Sequence, residues 1–494
     1  MVKGAGWMVL FRLTDRLVGV LSFTILARLL SPEHFGLVAL ANSVIVLAAM
    51  LSELGVELAL IRNPHSGRSL YNVAWTLKIG RGLAMGALYT LLAQPAAKFF
   101  NEPRLDVVIY CLALAGLIEA WENIGVVEFR KSLAFHREFK YLFLTRCLPV
   151  PLTLGLAYTW RSYWALLGGI LVQRATKVLL SYLMHSYRPR FSLVGIRELM
   201  DFSKWMAVQN LVQGLSLRAP ALVLGRLANV TILGHFEVAF EIATMVTSEL
   251  GAPIRKALFP GFVQWSSDTD RLRKGFLDVY GLLVLIGLPI PVAMTVMAPL
   301  LVHVWLGQHW LPAVPVLQVL AMYGIVQSLA TSSYLIYLAL NRLRLLTVVS
   351  GLSLSLLVPL LVGSVLYWQA VGAGWALTVT AAIVLLVDMS LVARVLGIRR
   401  WEFCRLAARP VLAASGMFLL LWWLSVDPSA PMSARNDILY LLAFTLVGLT
   451  TYIGLLVILW LLHGKPNGTE RQLVSIITDQ WHDWRLSSLR SPSV

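Results

Sequence analysis

The sequence predicts an all-α protein that crosses a membrane about fourteen times, and composition is the first reason for this. Of its 494 residues, 58% are hydrophobic and 13% are charged, and the mean hydropathy is +0.75. A soluble chain of this length needs more charged residues to cover its surface, so the composition indicates a polytopic membrane protein. The net charge of +16 is no sign of nucleic acid as a partner, because in a membrane chain the placement of charge matters more than its sum.

A weak internal repeat is the second reason. The matched residues, each pair 198 positions apart, are Trp7 and Trp205, Arg28 and Arg226, and Gly36 and Gly234. The tetrapeptide Ser-Glu-Leu-Gly also occurs twice, at 52–55 and at 248–251, slightly out of step with the other matches. Repeats of this length in an apolar chain are typical of transporters, in which two similar bundles flank a central path.

Windows of about 20 apolar residues predict the domain organisation, which is six spans, a second six and a final pair. The predicted order is an N-terminal six-helix bundle over 1–184, a cytoplasmic linker over 185–199, a C-terminal six-helix bundle over 200–395, two extra transmembrane helices over 396–462 and a cytoplasmic tail over 463–494. In the tail, Trp481 and Trp484 fall with other apolar residues on one helical face. This pattern predicts an amphipathic helix on the membrane surface.

The basic residues of the loops predict the orientation. Alternate loops carry most of the Arg and Lys residues. The opposite loops hold only Lys98, Arg104, Arg161, Arg226 and Arg435. Because basic loops stay in the cytoplasm, both termini are predicted to be cytoplasmic. No cleavable signal peptide is expected, since charged residues interrupt the first apolar stretch.

Basic residues at membrane depth predict a cationic cavity. A charge there costs at least about 2.5 kcal/mol, so such residues usually face water or a partner. The candidate residues are Arg12, Arg16, Lys78, Arg81, Arg146, Arg174 and Arg218. Guanidinium groups fit phosphate oxygens, which favours an anionic headgroup such as a diphosphate as the ligand. The alternative is that these side chains lie near cytoplasmic helix ends and reach lipid phosphates.

Acidic residues at the same depth are candidates for ion coupling. An intramembrane carboxylate is able to carry a proton or bind Na⁺, which would couple transport to an ion gradient. The candidates are Glu57, Glu241 and Asp388. The alternative for each is a structural ion pair with one of the basic residues, or a place at a helix end.

Catalytic motifs are absent or weak, which argues against an enzyme. The chain has no Walker A loop, so it is not expected to hydrolyse ATP. The stretch Asp-Thr-Asp at 268–270 resembles the metal-binding D-x-D of glycosyltransferases, but three-residue matches are frequent by chance. Cys111, Cys147 and Cys404 lie far apart in or near apolar spans and predict neither a disulfide nor a metal site. No cofactor is expected.

Six short motifs in the same order carry a family resemblance. The first, LARLLSPEHFGLVA at 26–39, resembles the start of bacterial polysaccharide flippases and continues into Glu-Leu-Gly at 53–55. The others lie at 99–103, 188–190, 224–227, 258–262 and 306–313. Together they are similar to the polysaccharide transporter (Wzx-type) branch, WzxC-like subgroup, of the multidrug/oligosaccharidyl-lipid/polysaccharide flippase superfamily.

The resemblance implies a V-shaped pair of six-helix bundles with two extra helices in the bacterial inner membrane. The implied cargo is an undecaprenyl-diphosphate-linked sugar repeat, moved from the cytoplasmic to the periplasmic leaflet. Implied partners are membrane lipids and polysaccharide polymerase or export proteins. The family usually carries an Asp before the Gly-Arg of the seventh span, where this chain has Pro220, so a role of that Asp does not transfer.

Two other functions remain open from the sequence. A multidrug or cation antiporter of the same superfamily would be expected to line its cavity with acidic residues, so the basic first bundle argues against it. A membrane glycosyltransferase or polysaccharide polymerase usually needs a large extracytoplasmic loop, and no predicted loop is large enough. The sequence does not identify the glycan or decide between H⁺ and Na⁺.

Overall fold

The regular elements of the protein are helices. A computed structural model describes residues 2–50, 52, 60, 67–132, 134–193, 204–425 and 434–464. These residues contain no β-strand, and the predicted all-α fold class is confirmed. The helices belong to two compact units. The amphipathic helix predicted for the tail lies outside the described residues.

The first unit contains the described residues of Met1–Val238, Trp305–Trp310 and Leu357–Ala373. Its helices are α1 (Val2–Leu29), α2 (Pro32–Met50), α3 (Arg68–Phe100), α4 (Leu105–Ala120), α5 (Val127–Lys131), α6 (Phe135–Cys147), α7 (Pro149–Trp160), α8 (Tyr163–Met184), α9 (Lys204–Leu227) and the start of α10 (Val230–Gln264). Helices α3 and α4 approach closely because α3 has a glycine at the contact. A Cβ on Gly82 would lie 2.3 Å from the Cβ of Ala120.

The second unit contains the described residues of Ala239–Val304, Leu311–Leu356 and Gly374–Val494. Its helices are the rest of α10, then α11 (Thr269–Gly287), α12 (Pro289–Trp305), α13 (Val314–Ala339), both ends of α14 (Leu343–Leu396), α15 (Arg400–Leu424) and α16 (Ala434–Leu462). The middle of α14 belongs to the first unit. Aromatic rings fix α15 on α11. The ring of Phe403 stands edge-on to Tyr280 at 5.2 Å and to Phe276 at 6.1 Å between ring centroids.

The hydrogen bonds of helix α14 run on as one helix, but the helix is kinked at a single residue. It is 54 residues long, and Gln369 within it has φ 48° and ψ −125°. A straight helix of that length would measure about 81 Å, far more than the roughly 30 Å hydrocarbon core of a bilayer. The non-helical backbone at Gln369 therefore divides α14 into two segments of span length.

Eight helices of the described residues are long and apolar enough to cross a membrane. The number is up to nine if the bent pair Leu105–Ala120 and Ile124–Lys131, which meet at 67°, counts as one span. The chain is a multi-pass membrane protein on this evidence, while the total of fourteen spans stays a prediction. Helix α1 is not among the eight because Arg12, Asp15 and Arg16 lie near its middle.

The short connection between α3 and α4 carries an ion pair outside the spans. Helix α3 ends at Asn101, whose φ of 55° reverses the chain. Arg104 then holds both oxygens of Glu102, at 2.7 Å and 3.0 Å, and contacts Glu33 at 2.7 Å. The hydrogen bonds from Arg104 lower the pKa of Glu102 below its ordinary value.

Candidate functional site

All seven predicted cationic residues lie in the first unit, on α1, α3, α6, α8 and α9. The structure separates them by their partners. Lys78, Arg146 and Arg174 are paired with carboxylates, whereas Arg12, Arg81 and Arg218 make no ion pair with a described residue. Arg16 is half-buried on α1 and has an interaction partner within the chain.

Glu122 is the centre of a buried network between α3, α6 and α8. One of its carboxylate oxygens lies 2.7 Å from Nζ of Lys78 and 3.1 Å from Nζ of Lys177. The other oxygen accepts a hydrogen bond from the hydroxyl of Tyr141 at 2.5 Å. Every oxygen of this buried carboxylate is therefore partnered, as a buried charge requires.

A second carboxylate extends the network along α8. Glu119 Oε1 lies 2.5 Å from Arg174 and 2.9 Å from Lys177. Arg174 and Lys177 are three residues apart on α8, so they can present one face, and both contact Glu119. Three cations thus meet two carboxylates, which leaves one positive charge in excess at this position.

Arg146 binds α1 to α6. Its Nε lies 3.0 Å from Oδ1 of Asp15, and both side chains are partly exposed. The guanidinium also lies beside α1 at Gly19, where an added Cβ would sit 3.1 Å from Nη2. Arg12 precedes Asp15 by three residues on the same helix and is exposed. Arg146 thus pairs with Asp15, whereas the positive charge of Arg12 has no described carboxylate partner.

Arg81 and Arg218 are placed around the C-terminal half of α2. Arg81 donates to the hydroxyl of Ser52 at 3.0 Å and to the carbonyl of Ala49 at 3.3 Å, close to the C-terminal end of α2. Helix α9 approaches the same end, because a Cβ on Gly214 would overlap the side chain of Met50. Arg218 is one turn further along α9, and its buried Nε has no hydrogen-bond acceptor among the described residues.

The sequence had signalled the charges but not their pairing. The i, i+3 spacing of Glu119 and Glu122 was the available signal for a carboxylate face opposite Lys78 and Lys177. Nothing in the sequence pointed to Tyr141, whose hydroxyl completes the coordination of Glu122.

The three acidic candidates have different surroundings. Glu57 lies outside the described residues. Glu241 is exposed on α10. Asp388 is 5% exposed in the core of the second unit, where it accepts a hydrogen bond from the hydroxyl of Tyr337 at 2.5 Å. A buried carboxylate held by hydroxyl groups is chemically suited to take up a proton or a cation.

The Asp-Thr-Asp stretch has a structural role in its surroundings. Asp268 is the N-cap of α11, since its carboxylate accepts a hydrogen bond from the backbone N–H of Arg271 at 3.1 Å. It also forms an ion pair with the side chain of Arg271 at 3.1 Å. Capping explains an Asp at this position without a metal. Among the residues that the structure describes, no cluster of three or more His, Cys, Asp or Glu side chains is arranged to hold one.

The fold defines a multi-pass α-helical membrane protein, and the helices of its first unit carry the seven predicted cationic residues. The chain belongs to the polysaccharide biosynthesis protein family, whose pattern matches residues 25–315. This confirms the resemblance to the Wzx-type branch that the sequence motifs carry.

Individual relatives agree with the family match. The lipopolysaccharide biosynthesis protein WzxC of Escherichia coli K12 is 25% identical over 335 residues, which are 66% of this chain and 67% of that protein. The succinoglycan biosynthesis transport protein ExoT of Rhizobium meliloti is 24% identical over 324 residues, or 65% of each chain. The fold is similar to that of the lipid II flippase MurJ in an inward closed conformation, with a TM-score of 0.74, 11% identity and coverage of 92% of this chain and 99% of that one.

Proposed function

We propose that this protein is a flippase that moves a lipid-diphosphate-linked oligosaccharide from the cytoplasmic to the periplasmic leaflet of the bacterial inner membrane, by alternating access. Membership of the polysaccharide biosynthesis family supports the cargo class. The similarity in fold to a protein named as a lipid II flippase supports flipping as the mode of action. No catalytic residue is proposed.

The observation that carries the proposal is that the guanidinium groups of Arg12, Arg81 and Arg218, all in the first unit, form no ion pair with a described carboxylate. Arg218 is the clearest of them, because its Nε is buried and has no described acceptor. A buried unsatisfied donor on a charged group is costly, so it requires a ligand or a partner that completes it. A diphosphate offers several anionic oxygens to such groups, and guanidinium binds them in a bidentate manner.

The seven cations then contribute in two ways. Arg12, Arg16, Arg81 and Arg218 contact the diphosphate of the cargo. Lys78, Arg146 and Arg174 complete the cationic site through their ion pairs, which hold α1, α3, α6 and α8 in register. The excess positive charge of the Glu119 and Glu122 network adds to the attraction for an anion.

Both termini face the cytoplasm, by the placement of Arg and Lys in the loops. Membrane lipids and the polysaccharide polymerase or export proteins are the expected partners. H⁺ or Na⁺ drives transport, with Asp388 as the best-placed coupling residue, beside Glu57 and Glu241.

The proposal is tested by deleting the gene and analysing membrane lipids for lipid-diphosphate-linked oligosaccharide. Complete repeat units should accumulate on the cytoplasmic side while surface polysaccharide disappears. Accumulation of truncated sugars would instead indicate an enzyme of assembly. Unchanged lipid-linked sugars with increased drug sensitivity would indicate an antiporter. Either of the last two results contradicts the flippase.

Complementation by single variants then tests the site. Arg218→Ala should restore at least tenfold less surface polysaccharide than the parent does. A tenfold change corresponds to about 1.4 kcal/mol of lost binding free energy between the guanidinium and the diphosphate. Arg218→Lys should recover part of it, since the charge remains but the bidentate geometry does not. Lys98→Ala is the matched control, because it removes one positive charge from an exposed position at the end of α3. Equal loss in the control and in Arg218→Ala would contradict the site.

A further inference from the structure

One face of helix α15 is exposed along its whole length. Seven residues spaced alternately four and three positions apart share this side of the helix, and all of them are exposed. They are Trp401, Arg405, Ala408, Leu412, Ser415, Leu419 and Trp422. The opposite side carries Phe403, Met417 and Leu421, which are buried in the core of the second unit. Because α15 is a helix of span length, the side that the described residues leave uncovered is the side that meets lipid.

Tryptophans stand at both ends of this exposed face. Trp401 is 52% exposed and Trp422 is 64% exposed. Positions 401 and 422 differ by 21, which is about 32 Å along a helix and close to the roughly 30 Å thickness of the hydrocarbon core. Tryptophan prefers the boundary between hydrocarbon and headgroups. Trp401 therefore marks one headgroup layer and Trp422 the other.

Arg405 lies on the same face, one turn from Trp401. The central carbon of its guanidinium is 5.4 Å from the centroid of the Trp401 ring, within the range of a cation–π contact. Arg405 is exposed and forms no ion pair with any residue that the structure describes. The ring thus holds a guanidinium group at headgroup depth, and no described carboxylate neutralises it.

The chain at the start of α15 has a large excess of positive charge. Residues 394–409 contain five arginines and one acidic residue, Glu402. Glu402 does not offset them, because it caps the first turn of α15 and lies 2.7 Å from Arg273 of α11. Arg394 and Arg400 are exposed. A cluster of arginines beside a membrane attracts anionic lipid headgroups.

We propose that Trp401 and Arg405 bind the headgroup of one anionic phospholipid, whose acyl chains lie along the exposed face of α15. The phosphodiester accepts hydrogen bonds from the guanidinium in a bidentate manner, and Arg400 adds to the attraction. The occupant is a lipid and not a soluble acidic protein, because the charged end continues into an apolar face of span length. In the topology proposed above, this end of α15 lies in the cytoplasmic leaflet. The site uses none of the seven predicted cationic residues.

The test uses a native cysteine beside the site as a local reporter. Cys404 is exposed and adjacent to Arg405, so it is labelled with bimane in the full chain with Cys111 and Cys147 replaced by Ser. The labelled protein is purified in micelles of a neutral detergent and titrated with brominated phosphatidylglycerol, which quenches a fluorophore on contact. Brominated phosphatidylcholine is the zwitterionic probe. Helicity verifies that each variant is folded, as expected for substitutions at exposed positions.

Phosphatidylglycerol should reach half-maximal quenching at a mole fraction about fivefold lower than phosphatidylcholine does. Arg405→Ala should raise the phosphatidylglycerol value about fivefold, the factor that corresponds to about 1 kcal/mol for one basic residue at a membrane surface. Trp401→Leu should raise it about threefold with every charge in place, because the ring no longer holds the guanidinium. Arg405→Lys should fall between Arg405→Ala and the parent, since the charge remains but the bidentate geometry does not.

The matched control is Arg137→Ala, which removes an exposed arginine on the predicted cytoplasmic side of the first unit and should keep the parent value. Equal quenching by the two lipids, an unchanged value in Arg405→Ala, or an equal change in the control would overturn the lipid site. Displacement of the brominated lipid by undecaprenyl diphosphate, abolished by Arg405→Ala, would assign the site to cargo and overturn the phospholipid. Loss of surface polysaccharide in Arg405→Ala with parent quenching would assign the face to an acidic protein. Apart from that competition the assay contains no cargo, so it does not depend on the proposed function.

Discussion

Replacing Glu122 with Gln should lower the free energy of unfolding by about 3 kcal/mol. The side chain of Glu122 is 5% exposed and contacts Lys78, Lys177 and Tyr141. After the substitution Lys177 keeps Glu119 at 2.9 Å, and the amide oxygen still accepts from Tyr141. Lys78 is the group left without a described carboxylate. Because its side chain is 22% exposed, the penalty lies at the low end of the roughly 3–5 kcal/mol for a broken buried pair.

The assay is unfolding of the purified full chain in mixed micelles by a denaturing detergent, with helicity as the signal. The double variant Glu122→Gln with Lys78→Met should recover about 2 kcal/mol, because it removes the stranded ammonium. Glu33→Gln is the control, since its pair with Arg104 is 41% exposed on both sides and should contribute less than about 1 kcal/mol. A loss below 1 kcal/mol in Glu122→Gln, or no recovery in the double variant, would refute the reasoning.

Three further predictions concern other parts of the chain. Asp388→Asn should fold normally, because an amide oxygen still accepts from Tyr337, but should make transport rates insensitive to the ion gradient; retained gradient dependence in reconstituted vesicles would exclude Asp388 as the coupling group. The lowered pKa of Glu102 stabilises the folded state above the ordinary pKa of a glutamate, and this contribution disappears as pH falls through the lowered value. Unfolding curves of the parent and Glu102→Gln should therefore differ at neutral pH and converge at strongly acidic pH, and a difference that grows on acidification would contradict this sign. Trp310→Phe should cost about 1–3 kcal/mol by leaving the buried carbonyl of Ala27 unpaired, measured by the same micellar unfolding, and a neutral effect would show that another donor replaces it.

The membrane class, the helical fold and the family were within reach of sequence reasoning because each depends on local or summed properties. Hydropathy adds along the chain, and short motifs such as the one at 26–39 need no tertiary information. The number of spans is less accessible, because charged helices such as α1 and bent helices such as α14 do not follow a simple hydropathy rule. At Gln369 a single non-helical residue separates two segments that run together as one element.

The candidate site was predicted as a set of charges and not as an arrangement. Spacing shows that Glu119 and Glu122 can share one face, but not which helix that face meets. The pairing of Lys78 with Glu122, and of Arg146 with Asp15, joins residues 44 and 131 positions apart in sequence. Such pairs depend on helix packing, which local periodicity does not encode.

The internal repeat separates most clearly what the sequence determines from what the tertiary structure decides. The recurrence of Arg28 and Gly36 as Arg226 and Gly234 is visible in the chain as printed, because it needs only a constant offset. Their meeting at one crossing is a property of the packed helices, since a twofold relation between repeats can place equivalent residues far apart or face to face. In the folded chain the two glycines lie in backbone contact, because only a residue without a Cβ allows two helices to approach so closely. Each arginine binds the end of a helix from the other repeat, which is also decided by the packing of the helices.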